Sequence, residues 1–191
     1  MSDIFDVFTR GPLAALRAAE LCETLVNDVA FTPKIYPSWD SEAAQVTLTA
    51  TSARDELVQI AGVVTGTPRW LTLNFDLGST TLQVGDVLCL LIEGSMDVAA
   101  DLALFLRSAT AWGTEDTAWL DPLRLSAENG VTAAFHTLAP FDAICANEGY
   151  HTLVIDLPTA DFSLTLRAMR LFCIPANHGL ASVPYTLSSE A

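Results

Sequence analysis

The sequence predicts an all-β protein: an antiparallel β-sandwich of jelly-roll type with an N-terminal helix and an extended arm. Three observations carry this. From Gln45 to about Pro175, short segments alternate apolar and polar residues with a period of two. Gly, Pro, Asp and Asn punctuate them at turn spacing. No helical period lies between them to supply the crossovers of a parallel sheet. The chain divides accordingly into residues 1–40 (helix and Pro-containing arm), 41–176 (sandwich) and 177–191 (tail).

Gly11-Pro12 reads as a helix start, with Pro at the first helical position. Leu21, Cys22, Leu25, Val26 and Val29 recur at three- and four-residue spacing, which predicts an amphipathic helix over 12–29. Thr32 to Asp40 holds Pro33 and Pro37 and is expected as an arm. Strands follow at 45–51, 57–64, 70–77 and 87–92, the last apolar on both faces and so central. Leu102, Leu104 and Leu106 mark another strand, and a long loop is expected from Ser108 to Pro122. Residues 123–127 and 131–138 flank Glu128-Asn129-Gly130, which reads as a hairpin turn. Strands at 152–157 and 162–174 complete the set, with a phase slip at Arg167-Ala168 that predicts a β-bulge. The segment 70–77 echoes 150–157, as equivalent strands of two similar halves or as chance.

Nine Lys and Arg oppose 23 Asp and Glu, a formal charge of −14, and Lys34 is the only lysine. No basic cluster exists to neutralise phosphates, which argues against nucleic acid and anionic membranes as partners. No apolar run has the length of a membrane-spanning helix. A hydrophobic fraction of 51% supplies a core and excludes a disordered chain. Cys22, Cys89, Cys145 and Cys173 form no C-x-x-C and are expected as buried free thiols. No G-x-S-x-G, phosphate-binding loop or dinucleotide fingerprint is present.

The candidate ligand site is the segment Ser108–Asp121, where Trp112 and Trp119 stand beside Glu115, Asp116 and Asp121. Indole faces stack on sugar rings and carboxylates accept from paired hydroxyls, so a polar ligand such as a glycan fits that set. Tyr36 and Trp39 in the arm are candidate anchors on a partner subunit, the alternative being packing on this chain's own sandwich. Trp70 is expected at a sandwich rim. Asp97, Asp101, Glu115, Asp116 and Asp121 are the acids that could meet a Ca²⁺, although no D-x-D-x-D-G pattern supports them, and no other cofactor is expected. His136 and His151 fall in strand patterns and read as structural histidines.

The stretch Leu82-Gln83-Val84-Gly85-Asp86-Val87 resembles the hydrophobic-x-x-Gly-Asp turn of jelly-roll carbohydrate-binding modules. The closing strand Phe162–Phe172 is similar in kind to their last strand. The resemblance implies a non-catalytic sandwich that binds or displays a surface for a glycan. Secreted modules of that kind carry an export signal, whereas Met1–Asp6 has neither a basic nor an apolar signal region. That difference implies synthesis in the cytoplasm and use within an assembly such as a phage-like spike, as a homo-oligomer or beside other subunits. The alternatives are a purely structural oligomerisation subunit and a glycan-active hydrolase using acids near Glu115.

Overall fold

The computed structural model describes residues 4–146 and 149–178. Helix α1 (Ile4–Ala18) comes first, then strands β1 (Cys22–Thr24), β2 (Ile35–Trp39), β3 (Ala44–Thr51), β4 (Val58–Gly66), β5 (Leu71–Thr80), β6 (Val87–Met96), β7 (Ala100–Leu102), β8 (Leu104–Thr110), β9 (Gly113–Ala118), β10 (Leu123–Leu125) and β11 (Gly130–Thr137). A short helix α2 (Ala143–Ala146) precedes β12 (Gly149–Asp156) and β13 (Phe162–Ile174). The tail expected over 177–191 lies outside the described residues from 179 onward.

Two antiparallel sheets form the sandwich. The larger has strand order β1-β3-β4-β13-β6-β11, the smaller β2-β5-β12-β8-β9, and β10 pairs separately with β7. Alternation builds the core. Leu71, Leu73, Phe75 and Leu77 of β5, with Leu153 and Ile155 of β12 and Leu104 and Leu106 of β8, are buried on one side. Ile60, Leu88, Leu90, Ile92, Leu164, Leu166 and Leu171 of the larger sheet belong to the same cluster.

The expected bulge is present: the β13–β6 register shifts between Leu166 and Ala168. The two echoing segments are β5 and β12, which are hydrogen-bonded neighbours in one sheet rather than equivalents in two halves. Among strands, Pro37 is tolerated because β2 is a sheet edge, where a missing N–H costs no ladder bond. Asn27 covers that edge as a strand would, donating through Nδ2 to the Trp39 carbonyl (3.0 Å) and accepting from its N–H (2.9 Å).

Four expectations are corrected. The helix spans Ile4–Ala18 rather than 12–29, so Pro12 stands inside it. Val26 and Val29 are exposed and Asp28 has a φ of 58°, a left-handed conformation that ends any helix. The long loop is instead the hairpin β8–β9, turned at Thr110–Gly113. Glu128-Asn129-Gly130 joins strands that do not pair with each other, since β10 pairs with β7 and β11 with β6. All four cysteines are free thiols, but Cys22 is exposed on β1.

Helix α1 packs on β13 and β5. Its Leu16 is 1% exposed within the core, and Arg17 donates to the Arg167 carbonyl at the bulge (3.1 Å). Leu16→Ala removes a buried side chain that no neighbour can replace, and should lower unfolding stability by about 2–5 kcal/mol in a denaturant titration. Gly94 faces β13 so closely that an added Cβ would sit 2.4 Å from the Thr165 carbonyl oxygen. Gly94→Ala should force β6 and β13 apart and cost about 1–3 kcal/mol or more by the same titration.

Candidate functional site

The outer face of the smaller sheet carries polar side chains where its inner face is apolar, as the period of two requires. A groove of about 460 Å³ crosses it. Tyr36 from β2, Asp76 from β5, Tyr150 and Thr152 from β12, Arg107 from β8 and Thr114 from β9 line it, one or more side chains from every strand of the sheet. A second hollow of about 590 Å³, lined by Ser79, Thr80, Thr81, Thr110 and Gly149, shares Ala109 and Tyr150 with the first and extends it toward the β8–β9 turn.

The floor is a hydrogen-bonded network. Thr152 Oγ1 donates to Asp76 Oδ1 (3.0 Å). Tyr36 is hydrogen-bonded to Thr152, and Tyr150 to Asp76. Burial, reinforced by the Asp76 carboxylate, pushes the Tyr150 phenol up to about 12 and raises that of Tyr36. Both therefore remain neutral hydroxyls at any physiological pH. Arg107 holds Asp116 through two parallel contacts of 2.8 Å, the fork geometry of a guanidinium on a carboxylate. Burial raises Asp156 above the ordinary carboxylate range, and the nearby Arg107 partly opposes this. The Tyr150 side is open, with the residue 43% exposed. Such a surface offers an aromatic face, hydroxyls and a charged fork to a polar ligand without rearrangement.

Below the groove lies a buried pair. His151 Nε2 is 2.9 Å from the Thr80 carbonyl oxygen and Nδ1 is 2.9 Å from Ser108 Oγ. A carbonyl only accepts, so Nε2 carries the proton and Nδ1 accepts from the serine. Ser108 is fully buried, which makes this a structural histidine and no exposed nucleophile. His136 is the other: its Nε2 lies 2.9 Å from Asp142 Oδ2, which also accepts from the Ala139 N–H (2.8 Å).

The five predicted ligand residues are not brought together. Trp119 is 6% exposed and stacked on His136 at 5.8 Å, within the core. Trp112 is 85% exposed at the β8–β9 turn. Glu115 sits opposite Ser108, on the other side of the strand from Asp116, and Asp121 is exposed beyond Trp119. Asp116 alone of the five adjoins the groove, through Arg107. Of the arm residues, Trp39 is buried in this chain's own core and Tyr36 lines the groove. Trp70 is exposed at the rim, with the Arg69 guanidinium 5.0 Å from its ring centre.

The acids named for Ca²⁺ are also apart. Asp97 accepts from the Val98 and Ser163 N–H groups, and Asp101 lies 3.7 Å from Arg124. Among the described residues, no group of three His, Cys, Asp or Glu side chains is placed to hold a metal ion. No described helix is long and apolar enough to cross a membrane. Sequence reasoning missed Asp76, Arg107, Tyr150 and Thr152. The available signal was the echo itself, which sets Thr72 and Asp76 against Asp156 and Thr152 across one antiparallel pair.

Trp119→Ala should cost about 3–5 kcal/mol of stability in chemical denaturation, whereas Trp112→Ala should stay within about 0.5 kcal/mol. Burial holds the His151 imidazole below its ordinary pKa. The unfolded chain then takes the proton first as pH falls, so this contribution is complete above about pH 6.5 and is lost below it. Thermal unfolding of the wild type and His151→Asn at stepped pH should show the gap between them shrinking below that point.

No protein-family model and no curated protein sequence matches the chain. Solved structures do. A CBM4 carbohydrate-binding module superposes with a TM-score of 0.52 at 17% identity, covering 80% of this chain and 95% of that one. The CBM22-1 xylan-binding domain of Paenibacillus barcinonensis Xyn10C gives 0.48 at 12% identity, covering 83% and 99%. The bacteriophage CBA120 tailspike protein 4 enzymatically active domain gives 0.49 at 7% identity, covering 74% of this chain and 19% of that one. The chain thus shares the antiparallel jelly-roll sandwich of the CBM4 carbohydrate-binding module.

Proposed function

We propose that this protein is a non-catalytic glycan-binding module that holds a saccharide chain in the groove across its smaller sheet. The carrying observation is that every strand of that sheet contributes a side chain to one open, mostly pre-bonded groove. Tyr150 offers the stacking face, and Arg107 and Asp116 offer donors and acceptors to sugar hydroxyls. Tyr36, Thr152 and Asp76 fix Tyr150 in place, which limits the ordering cost of binding. The CBM4 structure, which shares the fold, belongs by its name to the carbohydrate-binding modules.

Display of this groove within a larger assembly, such as a phage-like spike, is a finer reading that rests on the sequence resemblance. Deleting residues 1–40 would not test it cleanly, because Leu16, Leu25, Ile35 and Trp39 are core residues. Sedimentation of the full chain over a concentration series is the direct measurement, and a monomer throughout would count against self-assembly.

A glycan array that includes bacterial capsular polysaccharides tests the primary reading. Binding should weaken at least roughly tenfold in both Tyr150→Ala and Arg107→Ala, with melting curves little changed. Trp119→Ala should act only through stability. Binding that survives both groove substitutions would move the site elsewhere, and hydrolysis of a bound polymer that is lost in Glu115→Gln would replace the reading with an enzyme.

A further inference from the structure

The nine basic residues of this −14 chain are not spread evenly. Arg10, Arg17 and Arg170 line one groove of about 480 Å³ between α1 and β13. Arg167 adjoins it, since its carbonyl receives the Arg17 guanidinium at 3.1 Å. Lys34 lines a small cleft on the other flank of α1, which shares Leu13 and Met169 with the groove. Three of the nine cations therefore line one groove, and a fourth lies in the cleft beside it, next to Asp76. Gathering like charges is unfavourable in itself, and neighbouring guanidinium groups raise the potential of a concave site toward anions.

The remaining lining is apolar: Leu13, Ala14, Leu57 and Met169. Among the described lining residues there is no aromatic ring and no carboxylate. That composition separates possible ligands by chemistry. Saccharides and single-stranded nucleic acids are held largely by stacking on aromatic faces, which the described lining does not offer. A peptide with acidic side chains around an apolar one matches both parts, carboxylates to the arginine rim and the apolar side chain to the floor. Arg10, Arg17 and Arg170 are all exposed, and each guanidinium has five N–H donors, so one engaged edge leaves others for a carboxylate.

We propose that the α1–β13 groove is a second binding site, distinct in its lining from the glycan groove, which docks an acidic peptide segment carrying an apolar anchor. The site joins the module to a protein partner by charge and by one buried side chain. Arginine is the residue suited to this, because its planar fork binds carboxylates with two donors.

The test is a peptide array that sets Asp and Glu around Leu, Ile, Met or Phe at every spacing, beside a matched array with Asn and Gln. The full-length protein is the probe, and oligogalacturonate is included as an acidic saccharide. Binding should be confined to acidic spots and fall about tenfold or more in Arg10→Glu and in Arg10→Glu/Arg170→Gln, while unfolding curves confirm that both variants fold. Glycan binding through the other groove should be unchanged, which separates failure of this site from failure of the first. Equal binding to the amide array, no binding to either, binding untouched by Arg10→Glu, or equal capture of oligogalacturonate would each overturn the proposal.

Discussion

Strand β13 is the constraint on which the rest of the sandwich depends. It is the longest strand described and runs through the middle of the larger sheet. Its first half pairs with both β4 and β6, but β4 stops at Val58 opposite Leu166. Beyond that point one edge of β13 has no strand beside it among the described residues. The smaller sheet has the matching gap, because β2 pairs with β5 only over Leu71–Phe75. Two free edges would face one another across an open side of the core. Helix α1 packs on both strands there and buries Leu16. The bulge at Arg167 turns an unpaired carbonyl outward, and Arg17 satisfies it. Bulge, strand ending and helix are one solution to one problem, the closure of a sandwich whose strands differ in length.

The candidate glycan site follows from the same alternation that builds the core. Once Leu73, Phe75, Leu153 and Ile155 point inward, Asn74, Asp76, Thr152 and Asp156 must point outward. Antiparallel pairing then sets Asp76 beside Thr152 and Thr72 beside Asp156. Asp76 thus receives the Thr152 hydroxyl and the Tyr150 phenol as donors. Burial of the phenols stabilises their neutral form, so Tyr150 donates to Asp76 over the whole physiological range. The groove is therefore set by the backbone and by side-chain pairs rather than by loops.

The regular strands were legible because each has one buried and one solvated face. Val46, Leu48 and Ala50 against Thr47, Thr49 and Thr51 is a readable pattern, and the phase slip at Arg167 was readable for the same reason. Strand β9 was not. Gly113–Ala118 is an exposed edge strand, so its Glu115, Asp116 and threonines leave no apolar stripe, and it reads as a loop. The helix was misplaced because Leu21–Val29 imitates a helical stripe, although Val26 and Val29 are exposed. The two tryptophans were not told apart for a related reason. Trp112 and Trp119 look alike in sequence, yet only Trp112 sits at the turn that Gly113 makes with its φ of 134°. Which tryptophan is buried depends on β8 and β9 pairing, a contact between residues that local pattern cannot rank.

Charge divides the surface in a way that bears on both sites. The groove proposed for glycan is lined by Asp28 and Asp76, and its Arg107 is already matched by Asp116. Its balance is negative, within a chain that is negative overall. A uronate or phosphate polymer would meet repulsion there without a free cation to offset it, whereas a neutral saccharide loses nothing to the field. The cations that could have balanced the groove are instead collected around α1. With charges arranged this way, the two proposed sites would differ in chemistry, an acidic ligand being repelled from one groove and attracted to the other. Selectivity between them comes as much from what each repels as from what each attracts.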